Sequence, residues 1–144
     1  MVYLCIIQDL FNNEPVAWTV TDQQVKSLSV ETIKQLSQKS SLKGALIHSD
    51  QGVHYTNKEY VTLLEKLSVT QSMSRRGNCW DNAKMESFFG LFKSELLYLK
   101  HFENIDHLKQ EIHAYIRWYN EERIKLHLKG LSPIKYRQQA LVVA

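Results

Sequence analysis

The stretch ALIHSDQG, residues 45–52, decides the fold. Ala45, Leu46 and Ile47 make a short apolar run of strand length, and that run delivers His48, Ser49 and Asp50 at its end. Open α/β sheets place ligands and catalytic groups at such strand ends. The Gln51-Gly52 pair that follows lets the chain turn sharply. Position alone favours the plainer reading of Asp50 as a turn residue or cap.

Upstream, Val2 to Ile7 is a nearly continuous apolar run that suits a strand buried on both faces. Asn12-Asn13 supplies turn chemistry, because Asn tolerates positive φ, and Pro15 to Val20 reads as a second strand, so the first twenty residues form a hairpin. Thr21 or Asp22 is placed to cap a helix whose apolar positions are Val25, Leu28, Ile33 and Leu36. Gly44 closes that unit.

Downstream, Asn57 caps a helix with Tyr60, Val61, Leu64 and Leu67 on one face, and residues 68–72 are strand-like. A polar loop, Ser74-Arg75-Arg76-Gly77-Asn78, leads into a helix from about Asp81 to Tyr98 striped by Met85, Phe88, Phe89, Phe92 and Leu96. A last helix, near Asp106 to Glu122, carries Leu108, Ile112, Tyr115, Ile116 and Tyr119. This order of elements predicts an α/β layered fold with a mixed sheet.

At 144 residues with 44% hydrophobic and 23% charged positions, the chain has the composition of one globular domain. Its net charge of +3 is unevenly spread: residues 1–74 balance to −1 and residues 75–144 to +4. Such asymmetry points weakly to a polyanionic partner. Cys5 and Cys79 are isolated, which excludes a disulfide framework or CxxC knuckle and fits a reducing cytoplasm. No stretch has the length of a membrane span or a signal-peptide core.

Glu86 lies inside the aromatic helix with Asn82 and Gly90 one turn to either side, on its own an ordinary solvated position. Thirty-five residues separate it from Asp50, enough for a helix, a strand and a loop to bring the chain back. Hard divalent cations are held by one or two carboxylates plus phosphate and water, and two-metal phosphoryl chemistry uses about three acids from separate elements. Two are visible here. A zinc site from His48, Asp50 and His54 is the competing arrangement.

Three blocks, HSDQGVHY at 48–55, SMSRRGNCWDNAKMESFF at 72–89 and YNEERIKLHLKGLSPIKYR at 119–137, closely resemble the catalytic core of bacterial insertion-sequence transposases of the retroviral-integrase type. The likeness runs from residue 2 to about 138, so residues 1–138 are expected to be a partial integrase core and 139–144 a tail. It implies a ribonuclease H-like mixed sheet flanked by helices and a DDE triad, with Asp50 as the second acid and Glu86 as the third, both catalytic and both ligands of Mg²⁺ or Mn²⁺. The family's first Asp stands on a central strand upstream of the one that residues 3–18 resemble. That strand, and with it full activity of this chain alone, is expected to be missing, and Asp9, which matches an acid ending the second strand, is not expected to bind metal.

The resemblance implies DNA as partner, at element ends and target, with homo-oligomers or assembly with a longer transposase, in the bacterial cytoplasm and on the nucleoid. Arg75 and Arg76 on the loop, Lys84 and Lys93 around Glu86, and Arg123, Lys125 and Lys129 in a terminal block that also holds Lys135 and Arg137 are the expected DNA contacts. His48 and Asn82 are expected to hydrogen-bond around the carboxylates. Trp18, Tyr115, Trp118 and Tyr119 read as core, while Trp80 stands in the loop. The alternative functions are a non-catalytic DNA-binding or multimerising remnant and, against the middle and terminal blocks, a ribonuclease H-type nuclease.

Overall fold

The computed structural model describes residues 1–24, 27–74 and 83–143. The opening apolar run forms β1 (Tyr3–Asp9), which pairs antiparallel with β2 (Glu14–Thr21), Tyr3 opposite Thr21 and Asp9 opposite Glu14. Asn13 turns the hairpin at φ 60°. A register shift between Ile7 and Gln8 accommodates Pro15, which has no N–H to give the ladder.

Helix α1 (Leu28–Lys39) lies across the hairpin, and β3 (Leu46–Ser49) follows. A short helix α2 (Val53–Thr56) and then α3 (Lys58–Lys66) return the chain to β4 (Thr70–Met73), parallel to β3 with Leu46 opposite Thr70. Helix α1 starts later than its apolar spacing predicts: its N-cap is Ser27, while the Thr21 hydroxyl accepts the Gln23 N–H in a local turn instead. Val25 lies outside the described residues. The Asn57 cap is present, its side-chain oxygen accepting the Tyr60 N–H at 2.9 Å.

Helix α4 (Ala83–Phe92) continues through a π-helical turn, Lys93–Leu97, and α5 (Ile105–Glu121) folds back beside it. Phe88 meets Tyr119 edge-to-face at 5.0 Å and Phe92 meets Tyr115 at 5.6 Å. With Ile6, Leu96, Ile112 and Ile116 they form a core of eight buried residues under the hairpin. A second core, of Val30, Ile33, Tyr60, Leu64 and Val69, lies among α1, α3 and β4. At about 2 kcal/mol per buried large apolar side chain, the first core carries more of the stability.

Trp18, Tyr115 and Tyr119 pack as expected, Trp18 also donating its indole N–H to His113 at 2.8 Å. Trp118 departs from the core role expected of it and is 42% exposed, because Ile112, Tyr115, Ile116 and Tyr119 already define the inward face of α5. Trp80 lies outside the described residues.

A sixth helix, α6 (Pro133–Val143), ends the described chain and runs through the boundary expected after residue 138. Pro133 suits a first helical position, where its missing N–H costs nothing. The helix is tied to the hairpin: Asn12, fully buried, donates to the Pro133 carbonyl at 2.9 Å, and Arg137 binds Asp9 at 2.5 Å and Glu14 at 3.4 Å.

Among the described residues the strands form two separate ladders, β1-β2 and β3-β4. The free edges of β1 and β3 line one trough of about 1450 Å³. Leu46, on the β3 edge, is 68% exposed. The expected mixed sheet is therefore divided at its centre, as the resemblance implied.

Candidate metal and nucleic-acid site

Asp50 stands directly beyond β3, where the strand ends and the chain turns. Its Oδ1 accepts the Gly52 N–H at 2.7 Å, closing a two-residue turn that fixes the carboxylate. Among the described residues no other hydrogen bond engages the carboxylate. A Cβ at Gly52 would sit 2.9 Å from Oδ1, so any larger residue here would push the Asp50 carboxylate from this position. Glu86, in the first turn of α4, is exposed, and both acids open on the trough between the ladders.

The Asp50 turn is anchored from β4. His48 places Nδ1 2.9 Å from the Ser72 hydroxyl and Nε2 3.0 Å from the Ser74 hydroxyl. Gln51 donates to the Ser74 carbonyl at 3.1 Å, and the Ser74 N–H donates to the Ser49 carbonyl at 2.7 Å. Three contacts thus hold the buried Ser74 at the start of the segment that leads to Glu86. His48, expected to hydrogen-bond around the carboxylates, bonds these two serines, Ser72 of β4 and Ser74 directly after it. Gln51 and Ser74 were not singled out in the sequence, where only the Gln51-Gly52 turn signal was visible.

Below the turn, Tyr55 links both ladders. Burial raises its phenol, helped by the charge on Asp50 and by Cys5, whose own thiol is pushed up chiefly by burial. Both groups stay neutral at physiological pH, so the floor of the trough adds no charge to the acids above it.

Asp9 lines the far end of the same trough. It is committed to Arg137 and to the Phe11 N–H. The proposed triplet of His48, Asp50 and His54 is not gathered: both His48 nitrogens are bound to serines, and no cluster of three His, Cys, Asp or Glu residues exists among the described residues.

The donor set fits a hard divalent cation. It consists of exposed carboxylate oxygens from two separate elements that line one trough. It falls one acid short of the usual two-metal set.

The expected cationic contacts divide. Lys84 lines the trough, while Lys93 is exposed at the start of the π-helical turn and Lys129 is exposed in the left-handed conformation at φ 58°. Arg123 departs from its expected role. Its guanidinium grips both Glu95 oxygens, at 2.6 to 3.0 Å, because the π-helical turn carries Glu95 to face it. Lys125 is half-buried, its ammonium donating to the Tyr119 hydroxyl and lying 4.8 Å from that ring's centre. Arg75, Arg76 and Asn82 lie outside the described residues.

Comparison with known proteins fits this architecture. Two models described as Integrase core domain match, one over residues 1–79 and the other over residues 86–141. An uncharacterized transposase-like protein of Haemophilus influenzae is 45% identical over 97% of this chain and 65% of its own length. The putative transposase InsK for insertion sequence element IS150 of Escherichia coli K12 is 43% identical over 96% of this chain and 49% of its own. The chain thus spans from about half to just under two thirds of the length of these relatives. The catalytic core domain of BIV integrase superposes with a TM-score of 0.64 at 19% identity, covering 87% of this chain and 79% of that one, which shows the ribonuclease H-like fold. With one family model covering more than half its length, the chain belongs to the integrase core domain family.

Proposed function

We propose that this chain is the catalytic-core portion of a DDE transposase that cleaves DNA strands and transfers them during transposition. The observation that carries the reading is that Asp50, just beyond β3, and Glu86, in the first turn of α4, open on one trough together with Lys84. A Mg²⁺ or Mn²⁺ ion held by these two carboxylates would supply charge stabilisation at the attacked phosphodiester.

The chain's own groups do the rest. The Gly52 N–H fixes the Asp50 carboxylate, His48 and Gln51 hold Ser74 so that the segment leading to Glu86 departs from a set point, and Lys84 draws the phosphate backbone to the acids. A strand seated in the trough, pairing with the β1 and β3 edges, is the route by which a third carboxylate would reach Asp50 and Glu86. Partners in this reading are DNA and further transposase copies.

The test uses a transposase containing this core and a duplex carrying the element end. Asp50→Asn and Glu86→Gln are expected to abolish metal-dependent cleavage while DNA binding persists. Cleavage at the wild-type rate by either variant overturns the assignment.

A second reading, a non-catalytic DNA-binding or multimerising form, is favoured by the gathering of only two free acids among the described residues. In that case Asp50→Asn leaves DNA binding unchanged or tighter, since removing an acid lowers repulsion from phosphate, and the 144-residue chain joins no DNA ends in Mg²⁺.

A further inference from the structure

After α5 the chain makes a tight loop. Lys125 and Leu131 pair across it in an isolated bridge, a 3₁₀ turn spans Leu126–Leu128, and Lys129 and Gly130 both take positive φ to reverse the chain. This loop presents Lys125 and His127 beside the start of α4. The link is physical: Phe88, one helical turn beyond Lys84, meets the Tyr119 ring edge-on, and the Lys125 ammonium rests on that same ring.

Among the described residues the cluster is electrostatically unbalanced. Burial lowers the Lys125 ammonium to about 8, and the charges of Arg123 and Lys84 push it in the same direction. His127 is lowered as well, first by desolvation and then by Lys125 and Lys84. Glu95 is the acid close enough to oppose this on Lys125, and it is already matched by Arg123. No carboxylate among the described residues pairs with Lys84, Lys125 or His127.

A second observation is independent of charge. Asn13 is 5% exposed, its Nδ2 lies 2.5 Å from His127 Nε2, and its Oδ1 has no partner. Turning the amide over would give Oδ1 to an imidazole N–H and leave Nδ2 as the unpaired donor. Either way a buried polar atom beside His127 lacks a hydrogen bond, a condition that folded proteins rarely leave unmet without a ligand or water.

We propose that Lys84, Lys125 and His127, backed by Asn13, form a phosphate-binding subsite at the start of α4, where Lys84 lies two residues before Glu86, that takes a backbone phosphate of a DNA strand. It rests on the DNA-processing reading and deepens it, by fixing where the strand runs past the acids. Three donors of different reach suit a tetrahedral oxyanion, and Tyr119 keeps the Lys125 ammonium from swinging into solvent.

The experiment follows the His127 imidazole by NMR in the full 144-residue chain, assigned by difference against His127→Gln. Inorganic phosphate is compared with chloride at equal ionic strength. Phosphate is expected to raise the His127 midpoint by about one unit, and Lys125→Met or Lys84→Met to remove most of that rise. Lys84 is exposed, so its variant stands even where Lys125→Met perturbs folding.

In a second arm, the salt dependence of duplex DNA binding is expected to lose about one from its logarithmic slope in each lysine variant, and nothing in Lys66→Met on α3. Equal titration in phosphate and chloride overturns the subsite. A phosphate response with unchanged DNA slopes overturns the backbone assignment in favour of free phosphate. Neither result depends on cleavage by Asp50 and Glu86, so failure here is distinguishable from failure of the DDE reading.

Discussion

Oδ1 of Asp50 accepts the Gly52 N–H at 2.7 Å, and a Cβ at Gly52 would come within 2.9 Å of that same oxygen. The backbone of Gly52 is at φ −63°, ψ 157°, which any residue adopts. The glycine therefore leaves space for the carboxylate in this position, and its backbone freedom is unused. Gly52→Ala is expected to displace the carboxylate and weaken Mn²⁺ binding about tenfold or more, with global stability changed by less than about 1 kcal/mol. Calorimetric Mn²⁺ titration and thermal unfolding measure the two effects separately, and unchanged affinity would exclude the steric account.

The Glu95–Arg123 pair joins the π-helical turn after α4 to the end of α5, with Tyr115 adding a hydrogen bond to Glu95 at 3.1 Å. The Arg123 hydrogen bonds hold the Glu95 carboxyl below its usual value of 4.5, against the opposing effect of burial. Because the folded state binds this proton less tightly than the unfolded chain, the pair's stabilisation is complete above about 4.5 and is lost as pH falls through the lower folded value. Glu95→Gln is expected to cost about 1–2 kcal/mol at pH 7 and to narrow that difference at pH 3. Urea midpoints at the two pH values test it, and a cost that does not shrink on acidification would refute the assignment.

The hairpin, the β3 strand ending at Asp50 and the aromatic stripe of α4 were legible because each is a local pattern: apolar runs, an Asn turn, helical spacing. The pairing of the acids was legible only through the resemblance, since Glu86 alone looks like solvated helix. Other features depend on distant partners that carry no local signal. Arg123 looked like a free cation until the π-helical turn brought Glu95 to it, and α6 was read partly as tail because Asn12, Asp9 and Glu14, which hold it, lie over a hundred residues away. His127 had no periodicity to mark it, and its meaning comes from Asn13 across the fold.

Asn57 joins α2 to α3 from both sides. Its Oδ1 accepts the Tyr60 N–H, and its Nδ2 donates to the Val53 and His54 carbonyls at 3.1 and 3.0 Å. Asn57→Ala removes an N-cap and a C-terminal brace at once, so the cost is expected near the upper part of the capping range, about 1.5–2 kcal/mol. Asn57→Asp keeps the cap and loses the donor, and should recover about half of that. Equal destabilisation in both variants would place the effect in the Nδ2 contacts alone.

Leu46 exposes an apolar side chain on the β3 edge, beside backbone groups that no strand covers among the described residues. Such an edge is a template for pairing with another strand, and native edges are commonly protected by a charge. Leu46→Lys removes little buried surface, so its effect on unfolding free energy is expected to stay within about 0.5 kcal/mol. Self-association of the chain should fall, because the introduced ammonium must be desolvated when a second strand approaches. Light scattering at matched concentrations and denaturant unfolding separate the two effects. Lower scattering with unchanged stability identifies the trough edge as the adhesive surface. Unchanged scattering would move self-association elsewhere, to the exposed Trp118, Ile124 and Leu126 at the end of α5.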